Sequence, residues 1–572
     1  MARLIRALLL DYATLVVIGI SAGICVSLFY LLLETIWRFV SYLVSLSRLL
    51  AIALVPLGIT SAFVVVEKFA KVKRTGCGTH GVLEAYFAHN GYIHPSDIAS
   101  KTLASAITMG FGGSAGPEGP SMLLGGGVAA HISRKLGVEF SRLRQFFIAG
   151  SAAGISAVFR APLTGILFAL EIPYRRGIEG EAFVESVIAS VTAYAVFILI
   201  NGPERIFKVE FGHLTLSPPH LTYVILLGIY SAVVAYVFVK IYSGLQAIHD
   251  ALTLKVSPCL MPVLAGVAIG ALALVDPRVL GTGDEIIHSL GAGEGFEPPL
   301  IVARLLALKI VATGLTLCFG GSGGLFVPTL VVGALSSELF TEMLGIRERV
   351  IFMATGMAAV LAAAAKTPLT AVALVAETCG PPVIIPASMA AVISYILTGN
   401  LSLFELQPPH KLTEEELALD AVYLRLVEVD PTILRKVRAR HVMNRKPVSL
   451  MADESIEDAL KRAREYAIRV YPLLNSEGRV VGVVSLEEML MVEEDQMKAP
   501  LKSLARRAVV ARPDDELRTI IRLMAEEETD HVFIVDEDGR LLGVIAEIDI
   551  VRFLMNELYR IRRVVRRVAR SA

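Results

Sequence analysis

The sequence predicts an α-helical polytopic membrane protein of two inverted-topology repeats with broken helices, followed by a smaller C-terminal α/β domain. Three observations predict it. The 572 residues are 54% hydrophobic and the mean hydropathy is +0.63, so much of the chain belongs in lipid. The apolar part carries one glycine-rich string twice, FGGSAGPEGPS from Phe111 and FGGSGGLFVPT from Phe319. Charged residues are sparse up to Gln407 and dense from Lys411, where a shorter αβ pattern also occurs twice.

The first repeat spans residues 1–205 and the second 206–410. Arg3 and Arg6 before an apolar run resemble a signal peptide, but Asp11 interrupts the run and the stretch from Tyr12 to Leu33 is long enough to span, so it is expected to be a retained helix. Apolar segments predict helices at 12–46, 49–69, 99–109, 120–136, 143–159, 162–174 and 182–200. After a polar link at 201–219, more follow at 221–247, 258–274, 299–318, 328–343, 349–365, 368–379 and 383–397. Many are too short or too broken by Gly and Pro to cross about 30 Å of hydrocarbon. Broken helices at that depth survive only where protein or a water-filled cavity covers their freed backbone groups.

Superposing the two strings aligns Ser114 with Ser322, Gly116 with Gly324 and Pro120 with Pro328. At nearly the same offset Gly150 falls on Gly356, Pro162-Leu163-Thr164 on Pro368-Leu369-Thr370, and Glu171 on Glu377. Paired half-length repeats with interrupted apolar segments mark transporters and channels whose site lies at mid-depth between the halves.

The strings themselves point to an anion. A helix N-terminus presents unsatisfied N–H groups and about half a positive charge, so several such ends aimed at one place bind an anion without a full cation. Glycine lets the backbone approach closely, and Pro120 and Pro328 start helices without removing a needed donor. Neither string contains Arg or Lys, which favours the weak binding that conduction needs. Glu118 lies inside the first string; a carboxylate at membrane depth costs roughly 2.5–3.5 kcal/mol, so it is a functional candidate by default. It can occupy the anion's place and leave on protonation, whereas its alternative role is a helix-capping Glu near the surface. Glu171 and Glu377 are expected to bond to helix ends.

Residues 411–437 form a linker, 438–497 and 498–558 two αβ units, and 559–572 a basic helix or tail. Gly482-Val483-Val484 in the first unit matches Gly543-Val544-Ile545 in the second. Units of roughly 60 residues are too small for a large core each and should pack together. The 54 basic and 54 acidic side chains balance, and the late charges are of both signs, so no nucleic-acid partner is expected. The mixed-charge domain and both termini are placed in the cytoplasm. The 5 cysteines are scattered, without CxxC or Cys/His spacing, so neither disulfides nor a metal site is expected.

These residues resemble the CLC family of chloride channels and chloride/proton antiporters, with a tandem pair of cystathionine-β-synthase (CBS) domains. Gly76-Cys77-Gly78-Thr79-His80 loosely matches the first family string, Gly116-Pro117-Glu118-Gly119-Pro120 the second and Gly324-Leu325-Phe326-Val327-Pro328 the third. The resemblance implies a homodimer in a lipid bilayer with an anion pathway in each subunit, Glu118 as gate, and chloride held by backbone N–H groups of Gly119, Leu325, Phe326 and Val327. The family's coordinating serine falls on Cys77 and its tyrosine on Phe404, each removing a hydroxyl donor worth about 1 kcal/mol. Its internal proton-transfer glutamate falls on Ile172, which cannot carry a proton, with Glu171 beside it as a substitute. That favours channel-like or weakly coupled conduction over antiport. In the CBS pair Asp549 fits the ribose-binding position and Ser485 and Glu488 approximate it in the first copy, so ATP, ADP or AMP is a candidate ligand. No cofactor is otherwise implied.

Two readings from other classes stay in view. Gly320-Gly321-Ser322-Gly323 matches the Gly-x-Ser-Gly of intramembrane serine proteases, but a nucleophile needs a base and the next histidine after Ser322 is His410. A CBS-regulated divalent-cation transporter would need several inward oxygen ligands, and the glycine-rich helix starts suit the opposite charge.

Overall fold

The computed structural model describes residues 2–204, 207, 218–253, 256–293, 297–411, 436–445, 447–463, 470–492, 496–527, 529–547, 549–550 and 553–554. The chain divides into two compact units, Met1–Lys411 and Leu412–Ala572. The expected basic tail and most of the 411–437 linker lie outside the described residues.

The first unit is helical. Its first half contains α1 (Ala2–Leu46), α2 (Ala51–Phe69), α3 (Gly78–Ala88), α4 (Pro95–Gly110), α5 (Glu118–Lys135), α6 (Leu143–Phe159), α7 (Pro162–Glu171) and α8 (Phe183–Asn201). Its second half contains α9 (Pro218–Thr253), α10 (Leu260–Val275), α11 (Asp284–Gly291), α12 (Pro299–Cys318), α13 (Phe326–Leu344), α14 (Arg349–Ala365), α15 (Pro368–Thr378) and α16 (Ile384–Leu397). Among the described residues 6 helices are long and apolar enough to cross a membrane, and several apolar ones of 10–17 residues are shorter than a span. Asp11 does not interrupt α1: its carboxylate accepts from Arg142, which also bonds Glu185 at 2.9 Å.

The halves are built alike. α5 packs on α6 and α6 on α8, as α13 packs on α14 and α14 on α16, while α7 and α15 pack on each other. α5 crosses α6 with no room for side chains, since a Cβ on Gly125 would lie 2.9 Å from the Gly154 nitrogen. Repeat mates share special backbone too. Gly112 and Gly320 both take positive φ, +95° and +109°, where a Cβ is disfavoured, and Arg160 and Lys366 end α6 and α14 in the left-handed region.

Hydrogen bonds between the halves are exchanged symmetrically. Thr316 Oγ1 accepts from the Ser114 N–H at 3.0 Å and Thr108 Oγ1 accepts from the Ser322 N–H at 3.0 Å. Glu171 accepts from the N–H of Leu369 (3.0 Å) and from the N–H and hydroxyl of Thr370 (2.7 and 2.5 Å). Glu377 accepts the matching three from Leu163 (2.9 Å) and Thr164 (2.7 and 2.6 Å). Each carboxylate thus satisfies first-turn N–H groups that α7 or α15 cannot satisfy alone.

In the second unit, β3 (Leu450–Met451), β4 (Val470–Leu474) and β5 (Val480–Ser485) form one sheet, and β6 (Val510–Ala511), β7 (His531–Val535) and β8 (Leu541–Ala546) another, both in sequence order. Register and bulge repeat: Val470 faces Ser485 as His531 faces Ala546, with shifts at Leu473/Leu474 and Ile534/Val535. Helices Ile456–Ala463 and Leu517–Glu526 lay their apolar faces against the respective sheets. The copies pack together as expected, by exchanging their starts. Ala439 and Val442 enter the second copy's core, Leu501 enters the first copy's, and Asn444 bridges Val544 as Arg506 bridges Val483.

Candidate functional site

Three helix N-termini converge at the glycine strings. α5 begins at Glu118 and α13 at Phe326, each with proline at its third position, Pro120 and Pro328, where a missing N–H costs nothing. α3 begins at Gly78, and a Cβ there would lie 2.6 Å from the Gly119 carbonyl carbon. The starts are tied by backbone. β1 (Gly76–Cys77) pairs in parallel with β2 (Ser322–Gly323), and the Gly324 carbonyl accepts from the Gly116 N–H at 2.9 Å.

Glu118 is fully buried at this junction. Its Oε1 accepts from the N–H of Phe326 and, at 3.3 Å, from that of Val327, so the carboxylate of one repeat sits on the helix N-terminus of the other. Its Oε2 has no hydrogen-bond partner. Gly116 and Gly324 pack so closely on the carboxyl group that a Cβ on either would collide with it. Phe326 is held by Phe159 and Phe168, ring centroids 4.9 and 4.8 Å away. Glu118 is therefore not a surface cap. It occupies a buried cradle of main-chain donors sized for a small anionic group.

The other predicted positions fall around this centre. Gly119 and Leu325 lie at the starts of α5 and α13, and Cys77 is buried just before α3. A cavity of about 820 Å³ reaches Cys77 between α2, α9, α10 and the chain at 403–406. It carries charge of both signs, Lys73 and Arg74 against Glu67, Asp250 and Glu405. Phe404 is buried and meets His80 edge to face, 5.6 Å between centroids. Ile172 is fully buried at the end of α7, its carbonyl accepting from Gln407 Nε2 at 2.8 Å. Glu171 lies next to it with both oxygens engaged by α15.

Sequence reasoning missed His80 and Gln407. Gln407 also donates to the Ala365 carbonyl at 3.2 Å and accepts from Ser402, whose hydroxyl accepts from the Phe404 N–H, so it pins the segment that carries Phe404. A buried amide in a polar stretch leaves no periodic signal. His80 stood in a quoted string and only its chemistry was passed over. Glu179 was also missed: it is buried, accepting from the hydroxyls of Tyr86 (2.7 Å) and Tyr174 (3.0 Å) and from Lys411 (3.1 Å).

Ser322 Oγ is buried without a hydrogen-bond partner, so no base reaches it. No group of three His, Cys, Asp or Glu side chains placed to hold a metal occurs among the described residues. In the second unit Ser485 and Glu488 form a capping box, with Glu488 accepting from the Ser485 N–H at 2.8 Å. At the matching place Asp549 accepts from the Ala546 N–H at 3.1 Å.

The family model described as voltage gated chloride channel matches residues 57–399. This chain belongs to the CLC family. The CBS domain model matches 439–495 and 501–556. Among CLC-like relatives, an uncharacterized protein of Methanocaldococcus jannaschii is 28% identical over 62% of this chain and 87% of its own. The voltage-gated ClC-type chloride channel ClcB of Salmonella dublin is 29% identical over 53% of this chain and 72% of its own. A crystal structure of a CLC-type fluoride/proton antiporter superposes with a TM-score of 0.62, covering 71% of this chain and 98% of that one at 20% identity. At that identity the likeness is one of fold. The chain is thus a multi-pass membrane protein of an anion-transporting family, carrying a CBS pair.

Proposed function

We propose that the protein conducts chloride or a similar small anion across a membrane, gated by protonation of Glu118. The observation that carries this is the Glu118 carboxylate bonded to the first N–H groups of α13. A carboxylate held there is a tethered competitor for a mobile anion. Protonation removes its charge, weakens its hold on those donors and frees them for chloride at Gly119, Leu325, Phe326 and Val327. In keeping with the family resemblance, the protein is a homodimer with one pathway per subunit. The protein acts as a transporter rather than an enzyme and needs no cofactor for conduction.

Channel-like or weakly coupled conduction is the favoured form, because the chain has buried Ile172 where a coupled exchanger needs a titratable relay. Antiport is the second reading. It is supported by Glu179, a buried carboxylate beside Tyr174 that offers a proton another entry, and by the antiporter with a similar fold. Both termini and the CBS pair are assigned to the cytoplasm. The pair binds an adenine nucleotide at Asp549, with Ser485 and Glu488 as the first copy's counterparts.

The deciding measurement is the reversal potential of the reconstituted protein under crossed chloride and pH gradients. A potential that follows chloride alone supports conduction, and one displaced by the pH gradient at a fixed ratio supports antiport. Absence of any anion flux would reject the proposal.

A further inference from the structure

We propose that His80 is the proton-linked anion donor at the vestibule mouth of the pathway, a role that rests on the anion-transport reading above. Three placements carry it. His80 lines the large cavity beside Cys77. It also lines a recess of about 30 Å³, bounded by Pro120 and Ser322, that runs toward the start of α5. Its Nε2 is buried and has no hydrogen-bond partner.

The ring is fixed rather than loose. Phe404 meets it edge to face at 5.6 Å, and the ring is walled on its other sides by the linings of the two cavities. A neutral imidazole has one N–H and one bare nitrogen, and with its proton on Nδ1 the bare nitrogen is the buried, unpartnered Nε2. In that tautomer neutral His80 presents Nε2 as a bare acceptor, the wrong polarity for an anion. One proton turns Nε2 into a charged donor. The neighbours cannot do this: the Cys77 thiol is a weak donor and the Phe404 ring has none. His80 thus supplies, in a proton-dependent way, the donor that two hydroxyls would otherwise supply permanently.

Burial is the largest influence on the ring and holds it neutral, with Arg74 acting in the same sense; the other charges around it act on top of that. Arg74 before β1, Lys73 beside it and Lys101 on α4 oppose protonation, while Glu84 on the ring's own helix favours it. Across the large cavity Glu67 of α2, Asp250 of α9 and Glu405 favour it as well, and His249 also lines that cavity. An anion drawn in by Lys73 and Arg74 adds the negative charge that makes protonation favourable. Anion entry and proton uptake are then linked at this mouth.

The test uses the full chain in planar bilayers, with chloride current read at subsaturating chloride while pH is stepped on each side in turn. Acidifying the vestibule side should raise apparent chloride affinity by up to about tenfold per pH unit, the limit for one linked proton. His80→Asn should abolish that response and keep the response to the opposite side that Glu118 sets. Adding Phe404→Tyr to His80→Asn should recover affinity without pH dependence. As a second measurement, calorimetry on Glu118→Gln in two buffers of different ionisation enthalpy should show proton uptake on chloride binding, lost when His80→Asn is added. An unchanged vestibule-side response in His80→Asn, or no proton uptake in Glu118→Gln, overturns the proposal. Wild-type protein that passes no anion current at any pH overturns the transport reading beneath it.

Discussion

Glu171 and Glu377 cap each other's repeats: Glu171, ending α7, holds the first turn of α15, and Glu377, near the end of α15, holds the first turn of α7. The two helices are cross-braced head to tail by charge-assisted hydrogen bonds. Both oxygens of each carboxylate are engaged, so a proton on Glu171 would have to displace bonds that α15 needs.

Glu171→Gln should therefore destabilise the protein by about 1–3 kcal/mol, as expected when one partner of a buried charge-assisted bond is lost, and Glu377→Gln, whose carboxylate is only half-buried, by less. Thermal unfolding of the purified protein in detergent measures it. An unchanged unfolding midpoint together with altered proton movement would instead make Glu171 a proton carrier.

Replacing Glu118 with Gln or Ala should remove the Glu118-dependent response of anion flux to pH while flux persists, because the tethered competitor no longer titrates. In the unmodified protein that response has a definite sign: acid neutralises the carboxylate and raises flux. Identical titrations of flux in wild type and Glu118→Gln would take Glu118 out of the gate.

A chloride gradient should drive little or no uphill proton movement, because Ile172 is aliphatic and fully buried. Ile172→Glu alone should not restore coupling, since Phe404 still lacks the hydroxyl at the vestibule end. Proton flux recorded with a pH dye in chloride-loaded liposomes tests this. Robust chloride-driven proton uptake that Glu179→Gln abolishes would replace the channel-like reading with antiport through Glu179.

Deleting the chain from Leu412 onward should leave a folded anion pathway whose activity no longer responds to adenine nucleotides. Asp549→Ala should mimic the nucleotide-free state, at a cost of about 1 kcal/mol for the lost local cap. Calorimetry with ATP, ADP and AMP on the full chain provides the check; no heat of binding for any of them leaves the CBS pair a structural module.

Much of this was legible in the sequence, for a stated reason. The repeat offset aligned Ser114 with Ser322 and Glu171 with Glu377, and a two-fold arrangement makes such mates do the same work. Pro120 and Pro328 marked the helix starts because proline tolerates few other helical positions. What the offset could not show is that these mates bond across the halves rather than within them. α3 and α11 were not expected, since helices of 11 and 8 residues are shorter than a span and α3 carries Thr79, His80 and Glu84 among its apolar residues. Gln407 and Glu179 act through contacts far along the chain, and no local pattern encodes such contacts.

The donors that grip Glu118 are main-chain groups of Phe326 and Val327. No codon change deletes a peptide N–H, except one to proline. Substitution alters what surrounds these donors and leaves them in place, whereas a one-residue slip in where α13 begins would re-aim them all at once. Inheritance in such a site is carried by the lengths between helix starts rather than by side-chain identity. That is why short insertions near residue 325 should be far more damaging than many replacements there.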